Sequence, residues 1–220
     1  RNLCPLHRSM VTDRPSESPL LVYAKVSSGE RKPLSTTTAP LHDEDGEVVG
    51  AIEVFYDESE AQEKLSLARA VQQHMLMEEL PGDDRISFDV EYAPMEMIGG
   101  DYYYFHPLED GRYALFLADV AGHGVSAALY TSLLHSLARE CQNELGDPAG
   151  FLTAVNQRLC QRVPEVDFIT ALQVVFDPDA GRLTWCSAGH PPPFVCRAED
   201  RSVEIIEAHH YPLGLPDMAG

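Results

Sequence analysis

Residues Gly99–Gly124 read GGDYYYFHPLEDGRYALFLADVAGHG. Within them, Tyr113-Ala114-Leu115-Phe116-Leu117-Ala118 is an apolar strand that runs into Asp119 and then into the turn Ala121-Gly122-His123-Gly124. A second carboxylate, Asp101, follows the pair Gly99-Gly100 and precedes an aromatic run. A carboxylate at the end of a buried strand is costly unless something pairs with it or coordinates it. Two of them beside glycine turns form the pattern of a hard-cation site. Ordinary strand-end turn chemistry, which favours Asp and Gly for backbone reasons, is the competing reading.

On the first reading, one strand-turn-strand segment brings both carboxylates to the same sheet edge. Hard divalent cations take oxygen ligands, keep several waters and need only one or two protein carboxylates. The carbonyl of Val120, in the turn after Asp119, is a third candidate oxygen. Two such ions about 3.5–4 Å apart can activate a water and neutralise a phosphoryl group. His123 and His190 each sit in a glycine turn, and a histidine there suits a general acid for a leaving alkoxide. A turn histidine bonded to backbone is the alternative for each. His209-His210 has no matching third ligand nearby and receives no role. There is no G-x-S-x-G elbow and no Walker loop. Gly122-His123-Gly124 lacks the lysine of a phosphate loop, and Asp119 before it would repel phosphate without an intervening metal.

The chain outward from this segment reads in three parts. Residues 1–58 form a β-rich unit, with strands at Pro19–Val26, Lys32–Leu41 and Glu47–Tyr56 around the turn His42–Gly46. Residues 59–80 form a linker helix, with Ser59 as N-cap, Gln62 completing a capping box, and Leu80-Pro81-Gly82 as the stop. Ala61, Leu65, Ala68, Gln72 and Met75 make a seam, either of a coiled-coil homodimer or of a helix packed on its own domain. Residues 81–220 form the main domain. Ile86, Phe88, Val90 and Tyr92 alternate with polar residues as in a half-buried strand. Helices follow at Val125–Glu144 and Ala149–Arg162, then strands at Phe168–Phe176, Leu183–Ser187, Phe194–Arg197 and Val203–Ile206. Adjacent helices between two groups of strands imply an α+β fold, with two antiparallel sheets each covered by a helical layer.

Composition narrows the function classes. The 220 residues include 35 acidic and 16 basic side chains, a formal net charge of −19. Such a chain lacks the basic face that nucleic acid or an anionic membrane demands. The five cysteines contain no C-x-x-C pair and read as reduced residues of a cytoplasmic protein, with Cys186 and Cys196 facing each other across a hairpin as an alternative. No apolar run approaches the ~18 residues of a membrane span.

Six motifs in order, ARAVQQHMLMEELP, YAPMEMIGGDYYYF, LFLADVAGHGVSAAL, LTAVNQRL, FITALQVVFDPDAGRLTWCSAGHPPPFV and YPLGL, resemble the SpoIIE/RsbU-type branch of the PPM (metal-dependent) serine/threonine phosphatases. The run PLHDEDGEVVGAIEVFYDESE resembles the last hairpin and exit of a PAS sensor domain. The resemblance implies an α-β-β-α sandwich and a two-metal Mn²⁺ or Mg²⁺ centre. It implies Asp101 as the first metal-binding aspartate, Asp119 as the bridging one, and the Val120 carbonyl as a further ligand; with His123 from the turn reading, Asp101 and Asp119 make up the catalytic set. It implies dephosphorylation of an anti-sigma factor antagonist in a bacterial partner-switching pathway, gated by an N-terminal sensor through the helix around Ala68–Pro81. Tyr104 stands where many relatives carry a second aspartate. A further metal-binding aspartate is expected beyond the PLGL segment, and Asp217 falls too soon after Leu215 to serve, so the domain is expected to be C-terminally incomplete. A pseudophosphatase scaffold that binds partners without turnover is the alternative function.

Overall fold

A computed structural model describes residues 4–18, 21–25, 27–76, 80–163, 168–207 and 210–215. The chain divides into two compact units, Arg1–Leu67 and Ala68–Gly220. His209 and Asp217 lie outside the described residues.

The first unit is one antiparallel sheet. Helix α1 (Pro5–Thr12) precedes strands β1 (Ser16–Glu17), β2 (Val22–Lys25), β3 (Arg31–His42) and β4 (Val48–Asp57). The long strand β3 pairs with all three others. The expected strands are present, while α1 and β1 carry no periodic signal and were not foreseen. The β3–β4 hairpin closes at Asp43, whose carboxylate accepts the backbone N–H groups of Asp45 and Glu47. Gly46 supplies a φ of +84° there, a conformation L side chains rarely adopt. The buried Thr38 hydroxyl lies 2.9 Å from the Ser16 carbonyl and 3.1 Å from that of Pro5, which ties the N-terminal elements to β3.

Helix α2 spans Ser59–Leu76. Ser59 is its first residue and not its cap: its N–H donates to the Asp57 carboxylate at 3.0 Å, and Glu58 accepts the N–H of Gln62. The Gln62 N–H that a Ser59 cap would accept is already bonded to the Glu58 carbonyl, so the helix begins one residue earlier than a Ser59 cap requires. Farther along the helix, Gln72 and Leu76 are buried. Gln72 is a seam position and bonds to Gly99 and Thr131, and Leu76 beside it belongs to the core of the second unit, so this end of the helix packs on its own domain.

In the second unit, strands β5 (Asp101–Pro107), β6 (Tyr113–Val120), β7 (Ile169–Asp177) and β8 (Arg182–Ala188) form a four-stranded antiparallel sheet in that order. Helices α3 (Val125–Glu140) and α4 (Pro148–Arg162) lie between β6 and β7 in the chain and pack on one face, α3 over β5 and β6, α4 over β7 and β8. Alternation fixes which side chains they cover. Tyr102, Phe116, Ala118, Ala171 and Val175 point to the helices and meet Leu134, Leu137, Phe151, Val155 and Leu159. Phe116 is fully buried, with edge-on contacts to Tyr102 and Phe151.

The opposite face is treated differently from the expectation. Residues 86–92 do alternate in exposure, but they form no ladder beyond one bridge between Asp83 and Ile86. An extended segment becomes a strand only where another strand offers its backbone groups. Here the segment lies over the sheet by side-chain contact alone: Phe88 packs on Phe105 and Tyr113, and Tyr92 on Tyr103. Among the described residues, strands β9 (Phe194–Cys196) and β10 (Val203–Ile205) pair only with each other. Cys186 on β8 and Cys196 on β9 therefore belong to different sheets and do not face across a hairpin, and both are free thiols. No helix among the described residues is long and apolar enough to cross a membrane.

Phe116→Ala removes the side chain at the centre of this core. It is expected to cost about 3–5 kcal/mol, read as a lower urea midpoint with an unchanged slope. Val203→Ala, on an exposed strand, is expected to shift stability by less than about 0.5 kcal/mol.

Candidate metal centre

Strand register builds the site. Asp101 on β5 lies directly opposite Asp119 on β6, and Asp119 lies directly opposite Thr170 on β7. The Val120 N–H donates to the Gly100 carbonyl at 3.1 Å, so Asp101 and Asp119 form a non-hydrogen-bonded pair. In such pairs the side chains stand closest, on the same face. That face is the one without helices.

Two like charges in this arrangement are unfavourable unless a cation intervenes. Burial, and then the charge of Asp119, push the Asp101 carboxyl above its ordinary value, with His190 opposing. Among the described residues no lysine or arginine forms a salt bridge with either aspartate.

The glycine pair explains how the backbone comes so close. A Cβ on Gly100 would sit 2.9 Å from the Val120 carbonyl oxygen and 3.3 Å from the Ala127 methyl. A Cβ on Gly99 would sit 2.5 Å from the Tyr92 hydroxyl. That hydroxyl is buried without a hydrogen-bond partner among the described residues. Gln72 of α2 grips the same turn through both amide atoms. Its Nε2 donates to the Gly99 carbonyl at 2.7 Å and to the Thr131 hydroxyl at 3.0 Å, and its Oε1 accepts the Gly99 N–H at 3.0 Å. Gln72 in the sequence looks like a polar residue in an apolar seam; its role here shows only once Gly99 is beside it.

The two glycine-turn histidines part company. His123 pairs with Glu96 at 2.8 Å and its side chain is 83% exposed. His190 is half-buried, its Nδ1 lies 3.0 Å from the Thr170 hydroxyl, and both Asp119 and Asp101 act on it electrostatically. It also borders a cleft of about 380 Å³ together with Asp101, Tyr92, Tyr103 and Leu117. The structure thus brings Asp101, Asp119 and His190 together and places His123 in a separate ion pair. Thr170 was not singled out, because a threonine in a β-strand carries no signal of its own.

The donors present suit a hard divalent cation. Two uncompensated carboxylates stand opposed, with the Val120 carbonyl beside the bare Cα of Gly100, and all are oxygen ligands of the kind Mg²⁺ and Mn²⁺ take. The described residues contain no cluster of three or more His, Cys, Asp or Glu side chains able to close a metal cage. Waters and further ligands are required to complete the shell.

The family model described as Stage II sporulation protein E (SpoIIE) matches residues 109–219, half of the chain. The match takes in Asp119, Val120, His123 and His190, while Asp101 lies just ahead of it. Phosphoserine phosphatase RsbU of Bacillus subtilis is 29% identical over 159 residues, 72% of this chain and 47% of that protein. Phosphoserine phosphatase RsbP of the same organism is 26% identical over 156 residues, 69% of this chain and 38% of that protein. The chain spans less than half the length of either relative. The SiaA PP2C domain of Pseudomonas aeruginosa superposes with a TM-score of 0.60 at 23% identity, covering 71% of this chain and 64% of that one. The chain belongs to the SpoIIE family, and its second unit has a fold like that of a PP2C domain.

Two expectations follow from the geometry. Asp101→Asn removes one of two opposed charges, so with chelator at pH 7 it should stabilise the protein by up to about 1 kcal/mol. A carboxyl raised in the folded state destabilises it as pH climbs from the unfolded value toward the folded one, so the gain should vanish below about pH 4. Saturating Mn²⁺ should reverse the order of melting temperatures, and equal melting of both proteins in chelator at pH 7 would contradict the account. Gln72→Leu strands the Gly99 N–H and carbonyl and should cost about 1–3 kcal/mol in chemical denaturation.

Proposed function

We propose that this SpoIIE-family chain is a divalent-cation-dependent protein phosphatase that acts on a phosphorylated serine or threonine of a partner protein. The observation that carries the reading is the opposition of Asp101 and Asp119 on neighbouring strands at the edge of a cleft. Among the described residues no lysine or arginine forms a salt bridge with these two charges, and a phosphate ester could not approach them without a cation. A Mn²⁺ or Mg²⁺ pair held by Asp101, Asp119 and the Val120 carbonyl would supply a nucleophile at neutral pH and neutralise the phosphoryl oxygens. The resemblance of RsbU and RsbP, both named phosphoserine phosphatases, supports the same chemistry.

The chain's own residues supply position. Gln72 and the two glycines fix the backbone from which Asp101 projects. The open face of the sheet supplies an apolar floor, Tyr103, Phe105, Leu115 and Leu117, which excludes water beside the charged end. His123, on the turn after Asp119, remains the proposed proton donor to the departing serine or threonine oxygen. Its exposure leaves it able to meet an incoming protein.

The finer assignments belong to the same reading. An α-β-β-α sandwich is the fold, with the second sheet on the face of β5–β8 away from α3 and α4. Residues 1–58 act as a PAS-like sensor, residues 59–80 as the helix that carries its signal, and residues 81–220 as the phosphatase domain. Homodimerisation would use the linker helix through the first part of its seam, Ala61, Leu65 and Ala68. The substrate is an anti-sigma factor antagonist in the cytoplasm, as in a partner-switching pathway. A binding scaffold without turnover is the rival, motivated by the incomplete ligand shell.

In the intact protein, Mn²⁺ should support release of inorganic phosphate from a phosphoserine antagonist protein. Chelator, or Asp119→Asn, should reduce release to background. Release that persists in either case would refute the metal-dependent reading, and binding of the phosphoprotein without any release would favour the scaffold.

A further inference from the structure

We propose that His190, oriented by Thr170, is a substrate-binding residue of this site, donating a hydrogen bond from Nε2 to a phosphoryl oxygen. The inference rests on the phosphatase reading and adds to it a residue that the catalytic set of Asp101, Asp119 and His123 leaves out.

Placement is the first ground. Asp101, Asp119 and Thr170 stand in one row across β5, β6 and β7, on the face without helices. The Thr170 hydroxyl reaches His190 Nδ1 at 3.0 Å, so the imidazole stands at the end of the row of carboxylates. His190 and Asp101 also line the same cleft. A group that enters this cleft to reach the aspartates meets the imidazole.

Rigidity is the second. Gly189, at φ +69°, bridges to Ala171 on β7, and a Cβ there would meet the backbone nitrogen of Pro212 at 3.2 Å. The hydroxyl of the buried Ser187 donates to the His190 carbonyl at 3.3 Å. Backbone and ring are therefore held independently. By contrast, His123 is exposed and its partner is an exposed glutamate.

Electrostatics selects the tautomer. Beside two carboxylates and a phosphate ester, every oxygen to be met is an acceptor. An imidazole that accepts the Thr170 hydroxyl proton at Nδ1 carries its own hydrogen on Nε2 and can donate there. A fixed neutral donor contributes to binding without a proton transfer of its own.

The test uses the intact protein with Mn²⁺ and inorganic phosphate as the probe, followed by isothermal titration calorimetry. His190→Ala should weaken phosphate binding by about ten-fold or more, the scale of a hydrogen bond to a charged group. Its affinity for Mn²⁺ alone should change less than about two-fold by the same scale. His190→Gln, which keeps an N–H donor, should recover part of the loss. Thr170→Val should move in the same direction as His190→Ala, and Thr170→Ser should behave as wild type. Matching near-ultraviolet circular dichroism establishes that each variant is folded, and the Thr170 pair keeps the question open to test if His190→Ala is not. Unchanged phosphate affinity in folded His190→Ala or Thr170→Val would overturn the inference and leave the phosphatase reading standing. Parallel loss of Mn²⁺ and phosphate affinity would also overturn it, by making His190 part of the metal shell. A wild-type protein that binds no phosphate with Mn²⁺ would overturn both.

Discussion

Two carboxylates opposed across adjacent strands are the constraint on which the second unit turns. In a non-hydrogen-bonded antiparallel pair the side chains of Asp101 and Asp119 have nowhere to diverge. A fold that evolved for stability alone would place a cation or an apolar pair at this register. The surrounding structure instead enforces the opposition. Phe116 and Ala118 on one side and Tyr102 on the other commit both strands to the helical layer, and any slip of one residue would turn these side chains outward. The energy of the core thus holds in place a pair that is unfavourable by itself. That is how strain is commonly retained at functional sites.

The same economy of space appears at the start of β5. Gly99 and Gly100 lie against Tyr92, Val120 and Ala127 with no room for a side chain. A turn stripped of side chains has little packing of its own, and Gln72 replaces that packing with hydrogen bonds to both backbone groups of Gly99. The geometry of the aspartate pair is consequently sensitive to the position of α2. A shift of the helix by one turn, about 5.4 Å, would break both bonds at once. The contact is all-or-none in a way that apolar packing is not.

Much of this was legible in the sequence because it depends on local patterns. The apolar run Tyr113–Ala118 ending in Asp119, and the helices after it, follow from periodicity. Asp101 and Asp119 were identifiable because a carboxylate at a strand end demands an explanation. What stayed hidden depends on long-range partners. Residues 86–92 alternate like a strand, yet alternation reports which side chains are buried and says nothing of whether a neighbouring backbone is present. Thr170 and His190 are twenty residues apart and meet only through the fold. Ser59 has the composition of a cap, yet the Gln62 N–H goes to the Glu58 carbonyl, a backbone bond that composition does not report.

The two histidines show the limit most clearly. In the sequence His123 and His190 are equivalent, each following a glycine in a turn. What separates them is the element behind each turn. His123 follows the end of β6, where the chain leaves the sheet for α3 and the side chain pairs with Glu96. His190 follows β8, where Gly189 still bridges to β7 and Pro212 closes over it. A turn still fastened to a sheet can hold a ring at fixed orientation, whereas one that leaves it presents its side chain to solvent. These are different chemical tools. An exposed histidine suits, on the proposed reading, delivery of a proton to a group that arrives with a protein partner, and a fixed one suits recognition of an anion that must arrive in one place.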